Sequence, residues 1–212
     1  MTSVCGGWTT MIKIYHSKRA RSARIIWLLE ELGVPYELEV LEFKLEVLQS
    51  PAYLEVQPLG QIPAIRDGEL TMFESGAILE YLLEKYGQGR LAPQPGAAGR
   101  GEYLQWFHFG EVSLAVHVSQ IVRERFGVYS AHPSDAVIER ARGRLSASLA
   151  VIDRVLSRRA FVCGDTFTAA DIMVSYGITM ARIIRELPAE FANLAPYLER
   201  LKLRPAYDKA WR

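Results

Sequence analysis

Cysteine is nearly missing from this chain: Cys5 and Cys163 are the only two in 212 residues. They make no zinc spacing, no Cys-x-x-Cys pair and no disulfide framework, which points to a reducing, cytoplasmic setting. Histidine is scarce too, and neither His108 nor His117 has metal-ligand partners at suitable spacing, so no metal is expected. A glycine-rich phosphate loop and a Ser-His-Asp set are both lacking. So is an excess of charge, since 25 Lys and Arg face 24 Asp and Glu and leave a net +1. That balance argues against nucleic acid as a partner, because such binders depend on phosphate neutralisation. No apolar run approaches the roughly 20 residues needed to span a bilayer, so no membrane partner is expected either. The first ten residues, MTSVCGGWTT, have neither the basic start nor the apolar core of a secretory signal. Residues 1–10 are expected to be a disordered extension.

What the chain does have is apolar residues in patterned runs. Half of it is hydrophobic and about a quarter charged, ordinary values for a protein with a real core. Ile12 to Tyr15 reads as a short buried strand. Ser22 to Leu32 (SARIIWLLEEL) has helical apolar spacing and stops at Gly33, a helix C-terminal signal. Tyr36 to Leu41 alternates apolar and acidic residues, as a strand does. A less regular helical stretch covers about Lys44 to Leu54. Ala64 to Arg66 and Leu70 to Phe73 are strands joined tightly through Asp67-Gly68, a strong hairpin signal. The helix Ser75 to Tyr86 completes a β-α-β-α-β-β-α unit.

Four glycines and two prolines in Gly87 to Gly99 then mark a linker. Beyond it the pattern is helical throughout, over about Arg100–Phe126, Ser134–Leu156 and Ala169–Ile184, with shorter helices near Ala195–Leu201 and Pro205–Trp211. The expected architecture is an α/β domain over residues 11–87, a linker over 88–98 and an all-α domain over 99–212.

Several motifs carry a local reading and a chemical one. Pro63 can simply mark a strand start. A cis Ile62-Pro63 bond before an edge strand would instead turn the Ile62 N–H and C=O outward, toward an extended peptide. Ser75 suits a helix cap, with Glu74 at the positive end of the helix. The same groups could hold a carboxylate on N–H groups and the Ser75 hydroxyl, with Glu74 pairing an ammonium. Ser22 also reads as a helix cap, yet a hydroxyl among Arg19, Arg21 and Arg24 could stabilise a thiolate. No cysteine lies nearby, so that thiolate would belong to a substrate. Thr168 and Asp171 form a capping box, which is folding information. On the long helix after the linker, Trp106, Gly110, Ser113 and His117 fall on roughly one face.

Taken together, Ser22…Trp27-Leu28-Leu29-Glu30-Glu31-Leu32-Gly33, Pro58-Leu59-Gly60-Gln61-Ile62-Pro63-Ala64, Glu74-Ser75-Gly76-Ala77-Ile78 and Thr168-Ala169-Ala170-Asp171-Ile172 resemble the cytosolic glutathione transferases of bacterial type. The resemblance covers essentially Met11 to the C-terminus. It implies a thioredoxin-like N-terminal domain, an all-helical C-terminal domain, a homodimer and glutathione as co-substrate. By position, Ile62 before a cis-Pro63 would bind the glutathione backbone. Glu74 and Ser75, with Gln61 beside them, would hold its γ-glutamyl end. Ser22, assisted by Arg21, would meet the sulfur, and a small hydrophobic electrophile would lie against the helix carrying Tyr103 and Trp106. The chain departs from similar sequences in having Ala20 where a first serine stands, Leu48 where a polar residue is common and Gln57 for an asparagine. These departures leave two other expectations open: a non-catalytic glutathione-binding or regulatory protein, and a glutathione-dependent peroxidase or dehalogenase.

Overall fold

A computed structural model of the chain describes residues 11–127 and 132–212. The extension expected over residues 1–10 lies outside the described residues. Four strands, β1 (Ile12–His16), β2 (Tyr36–Val40), β3 (Ala64–Asp67) and β4 (Leu70–Phe73), form one sheet in the order β2-β1-β3-β4. β1 runs parallel to β2 and antiparallel to β3, which turns through Gly68 into antiparallel β4. Gly68 has φ +63°, the left-handed conformation that a tight hairpin turn requires and that glycine adopts at no steric cost.

α1 (Ser22–Leu32) and α4 (Ser75–Tyr86) pack together beside the sheet. Nine of the eleven α1 residues are buried, so this helix is covered on nearly all sides, and it ends at left-handed Gly33 as its sequence implies. The irregular stretch before β3 is not one helix. Ser50 caps a separate turn with Pro51 at its first position, splitting the segment into α2 (Leu45–Leu48) and α3 (Pro51–Leu54). Asp67, at the end of β3, accepts from Tyr81, Lys85 and Tyr86. These bonds tie the C-terminal half of α4 to the hairpin and fix where its N-terminus points.

From Gly87 to Gly99 the chain holds no helix or strand, and after it the described residues form helices. The expected single helix Arg100–Phe126 is corrected to three pieces: α5 (Arg100–Phe109), a π-helical segment (Gly110–Ala115) and α6 (Val116–Arg125). Packing against α8 (Ala169–Ile183) accounts for it. A Cβ on Gly110 would lie 2.6 Å from the Met173 carbonyl carbon, and one on Gly177 would lie 2.5 Å from Leu114. At Gly110 the neighbour is main chain, which accommodates only glycine, while at Gly177 it is the Leu114 side chain. The wider turn then rotates everything after it relative to α5.

α7 (Asp135–Leu156) packs on α6, and α9 (Leu194–Lys202) and α10 (Pro205–Trp211) close the chain, α10 lying against α1. The capping box at the head of α8 forms as expected. Its Asp171 carboxylate also accepts from the Val162 N–H at 3.0 Å and the Tyr197 hydroxyl at 2.9 Å. Among the described residues no helix is long and apolar enough to cross a membrane.

Candidate active site

The loop leading into α1 and the backbone bend at Ile62 line a cleft between the α/β and helical parts, and the head of α4 is tied to α1 through the Arg24–Ser75 hydrogen bond. At the head of α4 the cap position belongs to Glu74, not Ser75, and Glu74 is exposed with φ +72°. A non-glycine residue held there costs of order 1–3 kcal/mol, a conformation that clusters at ligand sites. Its carbonyl accepts from Ile78, so the N–H groups of Ser75, Gly76 and Ala77 are the unpaired first-turn donors of the helix. The Ser75 side chain is buried, and its Oγ accepts from Nη1 of Arg24 at 3.0 Å. Beside it, the Ile62-Pro63 bond is cis. Sheet pairing of β3 stops at Ala64, leaving Ile62 outside the ladder. The Gln61 carbonyl is taken by the Tyr53 hydroxyl at 2.6 Å, while the Gln61 side chain is exposed at the cleft.

The head of α1 is capped by Arg21. Its first two bonds run from Ala23 to Ala20 and from Arg24 to Arg21, so the Ser22 N–H is an unpaired first-turn donor. The Ser22 side chain is not where the sequence led us to expect it. It is fully buried, with Oγ 2.8 Å from Nδ1 of His16. Burial lowers the His16 pKa, and the contact occupies the hydroxyl whichever of the two groups donates. The hydroxyl therefore serves β1 rather than the cleft. Arg21 does reach the cleft. Its Nη2 donates to Ser119 Oγ at 3.0 Å and its Nε pairs with Glu111 at 2.9 Å.

The cleft encloses about 220 Å³. Phe43, Val118, Val122, Tyr176 and Met180 give it an apolar floor, and Lys18, Arg19, Arg21 and Arg123 ring it with positive charge. The Tyr176 hydroxyl donates to the Arg19 carbonyl at 3.1 Å, holding the loop before α1 against α8. Arg19 has φ +64°, a second left-handed non-glycine residue at the same site.

Tyr103 and Trp106 do not line this cleft. They are 1% and 3% exposed, and Tyr103 packs on Phe107 with ring centres 5.6 Å apart. Their face of α5 is turned into α8. The π segment resets the helix phase, so α6 presents Val118, Ser119 and Val122 in their place. A uniform 3.6-residue period could not have shown this. Arg24 and Glu111 were missed as well. Their one signal was a lone basic residue inside the apolar run Ala23-Arg24-Ile25-Ile26.

Residues 11–84 match the family model for the glutathione S-transferase N-terminal domain, and residues 135–212 match that for the C-terminal domain. The chain belongs to the glutathione S-transferase family and is a transferase. Glutathione S-transferase 3 of Schizosaccharomyces pombe is 31% identical to it over 206 residues, covering 92% of this chain and 85% of the yeast protein. Glutathione S-transferase 3 of Zea mays is 29% identical and covers 88% and 86%. Among solved structures, the transferase URE2P6 of Phanerochaete chrysosporium, in complex with oxidized glutathione, superposes with a TM-score of 0.82. It is 30% identical and covers 96% of each chain. A Pseudomonas fluorescens family member with two glutathione bound gives 0.83 at 28% identity, covering 96% of this transferase and 95% of the other chain. The thioredoxin-like N-terminal domain and the all-α C-terminal domain of this transferase follow that family.

Proposed function

We propose that the transferase binds glutathione at the two helix N-termini and passes its thiolate to a small hydrophobic electrophile in the cleft. The observations that support this reading are the first-turn donors at the heads of α1 and α4, which the Arg24–Ser75 hydrogen bond ties together, and the place of Arg21, Gln61 and Ile62 on the wall of the cleft. An extended peptide lies along Ile62, ahead of Pro63 and next to Gln61, by main-chain hydrogen bonds. Its γ-glutamyl carboxylate meets the α4 N-terminus and Ser75, and its ammonium meets Glu74. The sulfur lies at the head of α1. There the Ser22 N–H, the helix dipole and the Arg21 guanidinium favour the thiolate over the thiol.

The thiolate attacks the electrophilic carbon, forming a C–S bond as the leaving group departs with its electron pair. Holding both reactants in one cleft supplies much of the rate, and the donors at the α1 N-terminus stabilise sulfur charge. The apolar floor selects a hydrophobic acceptor.

Calorimetry with glutathione tests the reading first, followed by turnover with an activated aryl halide. Binding below millimolar and conjugate formation are expected, whereas an absence of heat at millimolar glutathione overturns it. We further propose a cytoplasmic homodimer. Leu70 and Phe73 on the hairpin and Val112 and Val116 on the π segment and α6 are large, apolar and exposed, a combination suited to an interface. Light scattering at micromolar concentration should give twice the mass of one chain.

A further inference from the structure

Behind the cleft wall lies a charged group with no access to solvent. Arg24, three residues into α1, is 1% exposed. Its Nη1 donates both to Ser75 Oγ and to a carboxylate oxygen of Glu111. Its guanidinium carbon stands 4.3 Å from the centre of the Tyr176 ring. Among the described residues Nε and Nη2 are buried without a hydrogen-bond partner, and the Glu111 carboxylate is the anionic contact that compensates the charge. The other Glu111 oxygen pairs with Arg21 at 2.9 Å. One carboxylate from the helical domain thus joins the residue behind Ser75 to the residue at the head of α1.

This arrangement decides what Ser75 can do. A hydroxyl that accepts from Arg24 keeps its own proton free, so Ser75 can donate to an acceptor at the head of α4. With the unpaired N–H groups of Ser75, Gly76 and Ala77 it makes a site for an acceptor anion. The geometry holds only while Arg24 is fixed, and a buried guanidinium stripped of its carboxylate is strongly disfavoured where it stands. Glu111 is itself fixed by the π segment and by the Gly110 crossing over Met173.

We propose that Glu111 is a positioning residue for the γ-glutamyl carboxylate of glutathione, acting through Arg24 and Ser75. This rests on the glutathione reading above. It assigns to the helical domain a share in binding the peptide that the α/β domain contacts.

The test is calorimetry on the full chain with two ligands, glutathione and cysteinylglycine, which lacks the γ-glutamyl group. Glu111→Gln should weaken glutathione binding about tenfold or more, as truncation of a buried charge pair does. Cysteinylglycine binding should move less than about twofold, and Ser75→Ala added to Glu111→Gln should cost little beyond either alone. Glu111→Asp, which keeps the charge one methylene short, should recover part of the affinity. Arg24→Lys, unable to bridge Ser75 and Glu111 with one planar group, should repeat the selective loss. A merely structural role would weaken both ligands together, and that result overturns the proposal. So does glutathione binding left unchanged by Glu111→Gln when the unsubstituted chain binds. No binding by the unsubstituted chain overturns the glutathione reading along with it.

Discussion

Gly110→Ala and Gly143→Ala are chemically the same substitution, both inside helical segments, and the structure assigns them opposite signs. In a helix interior, alanine is favoured over glycine by about 1 kcal/mol because it has less backbone freedom to lose on folding. At Gly143, exposed on α7, an added Cβ meets nothing within 4 Å. The substitution should therefore stabilise the protein by about 0.5–1 kcal/mol. At Gly110 the added Cβ would stand 2.6, 2.7 and 2.8 Å from the Met173 carbonyl carbon, the Met173 oxygen and the Val174 nitrogen. All three are main-chain atoms in the middle of α8, most of whose residues are buried. They cannot rotate away as a side-chain end could.

Relief requires the π segment and α8 to move apart, and overpacking of this kind costs about 1–3 kcal/mol. With a rigid main chain on the receiving side we take the upper part of that range. After subtracting the propensity gain, the net loss is about 2 kcal/mol. For a chain of this length each kcal/mol moves the melting temperature by roughly 2–4 °C. Thermal melts at one fixed protein concentration should show Gly110→Ala falling by about 4–8 °C and Gly143→Ala rising by about 1–4 °C. A Gly110→Ala protein as stable as the parent, or stabilised like Gly143→Ala, would refute the tight-crossing argument and with it the account of why the π segment exists.

The head of α1 gives a second prediction. Arg21→Gln, which keeps a donor near Ser119 but removes the charge, should raise the thiol pKa of bound glutathione by about one unit. Ser22→Ala should raise it less, and thiolate absorbance against pH would return the role to the hydroxyl if the ranking came out reversed. Asp171→Ala leaves the Val162 N–H, the Thr168 N–H and the Tyr197 hydroxyl without their acceptor. We expect a loss of about 3 kcal/mol or more, read from the urea midpoint. Glu111 supplies a pH dependence. Burial raises its pKa, but Arg24 and Arg21 outweigh that and hold it below the usual 4.5. A depressed folded pKa means stability that is present above the unfolded value and lost as pH falls through the folded one. The stability difference between the parent and Glu111→Gln should accordingly shrink below about pH 4.5, and a constant difference down to pH 3 would contradict the assignment.

How much of this was legible in the sequence depended on the range of the interaction involved. Gly33, the Asp67-Gly68 hairpin and the Thr168/Asp171 capping box are decided within a few residues, and each appears where its local chemistry put it. The fold followed from their order along the chain. Errors began where a distant backbone intruded. α8 presses the helix after the linker into a π turn, and the resulting change of phase turns Tyr103 and Trp106 inward and brings Val118 and Val122 to the cleft. The cap assignments failed by one residue for a related reason. Ser22 and Ser75 look like caps, but each hydroxyl is claimed by a partner from elsewhere, His16 in one case and Arg24 in the other. Arg24 meets Ser75 across 51 positions and Glu111 across 87. No local pattern encodes such a contact, because each residue has an ordinary reading alone: a basic residue on a helix, a serine at a helix start, an acid near a glycine. Only the crossing of α1, α4 and the π segment makes them one network. A substitution at Gly110, which touches no ligand group, should therefore reach the binding site through Glu111, and glutathione affinity in Gly110→Ala should fall together with stability.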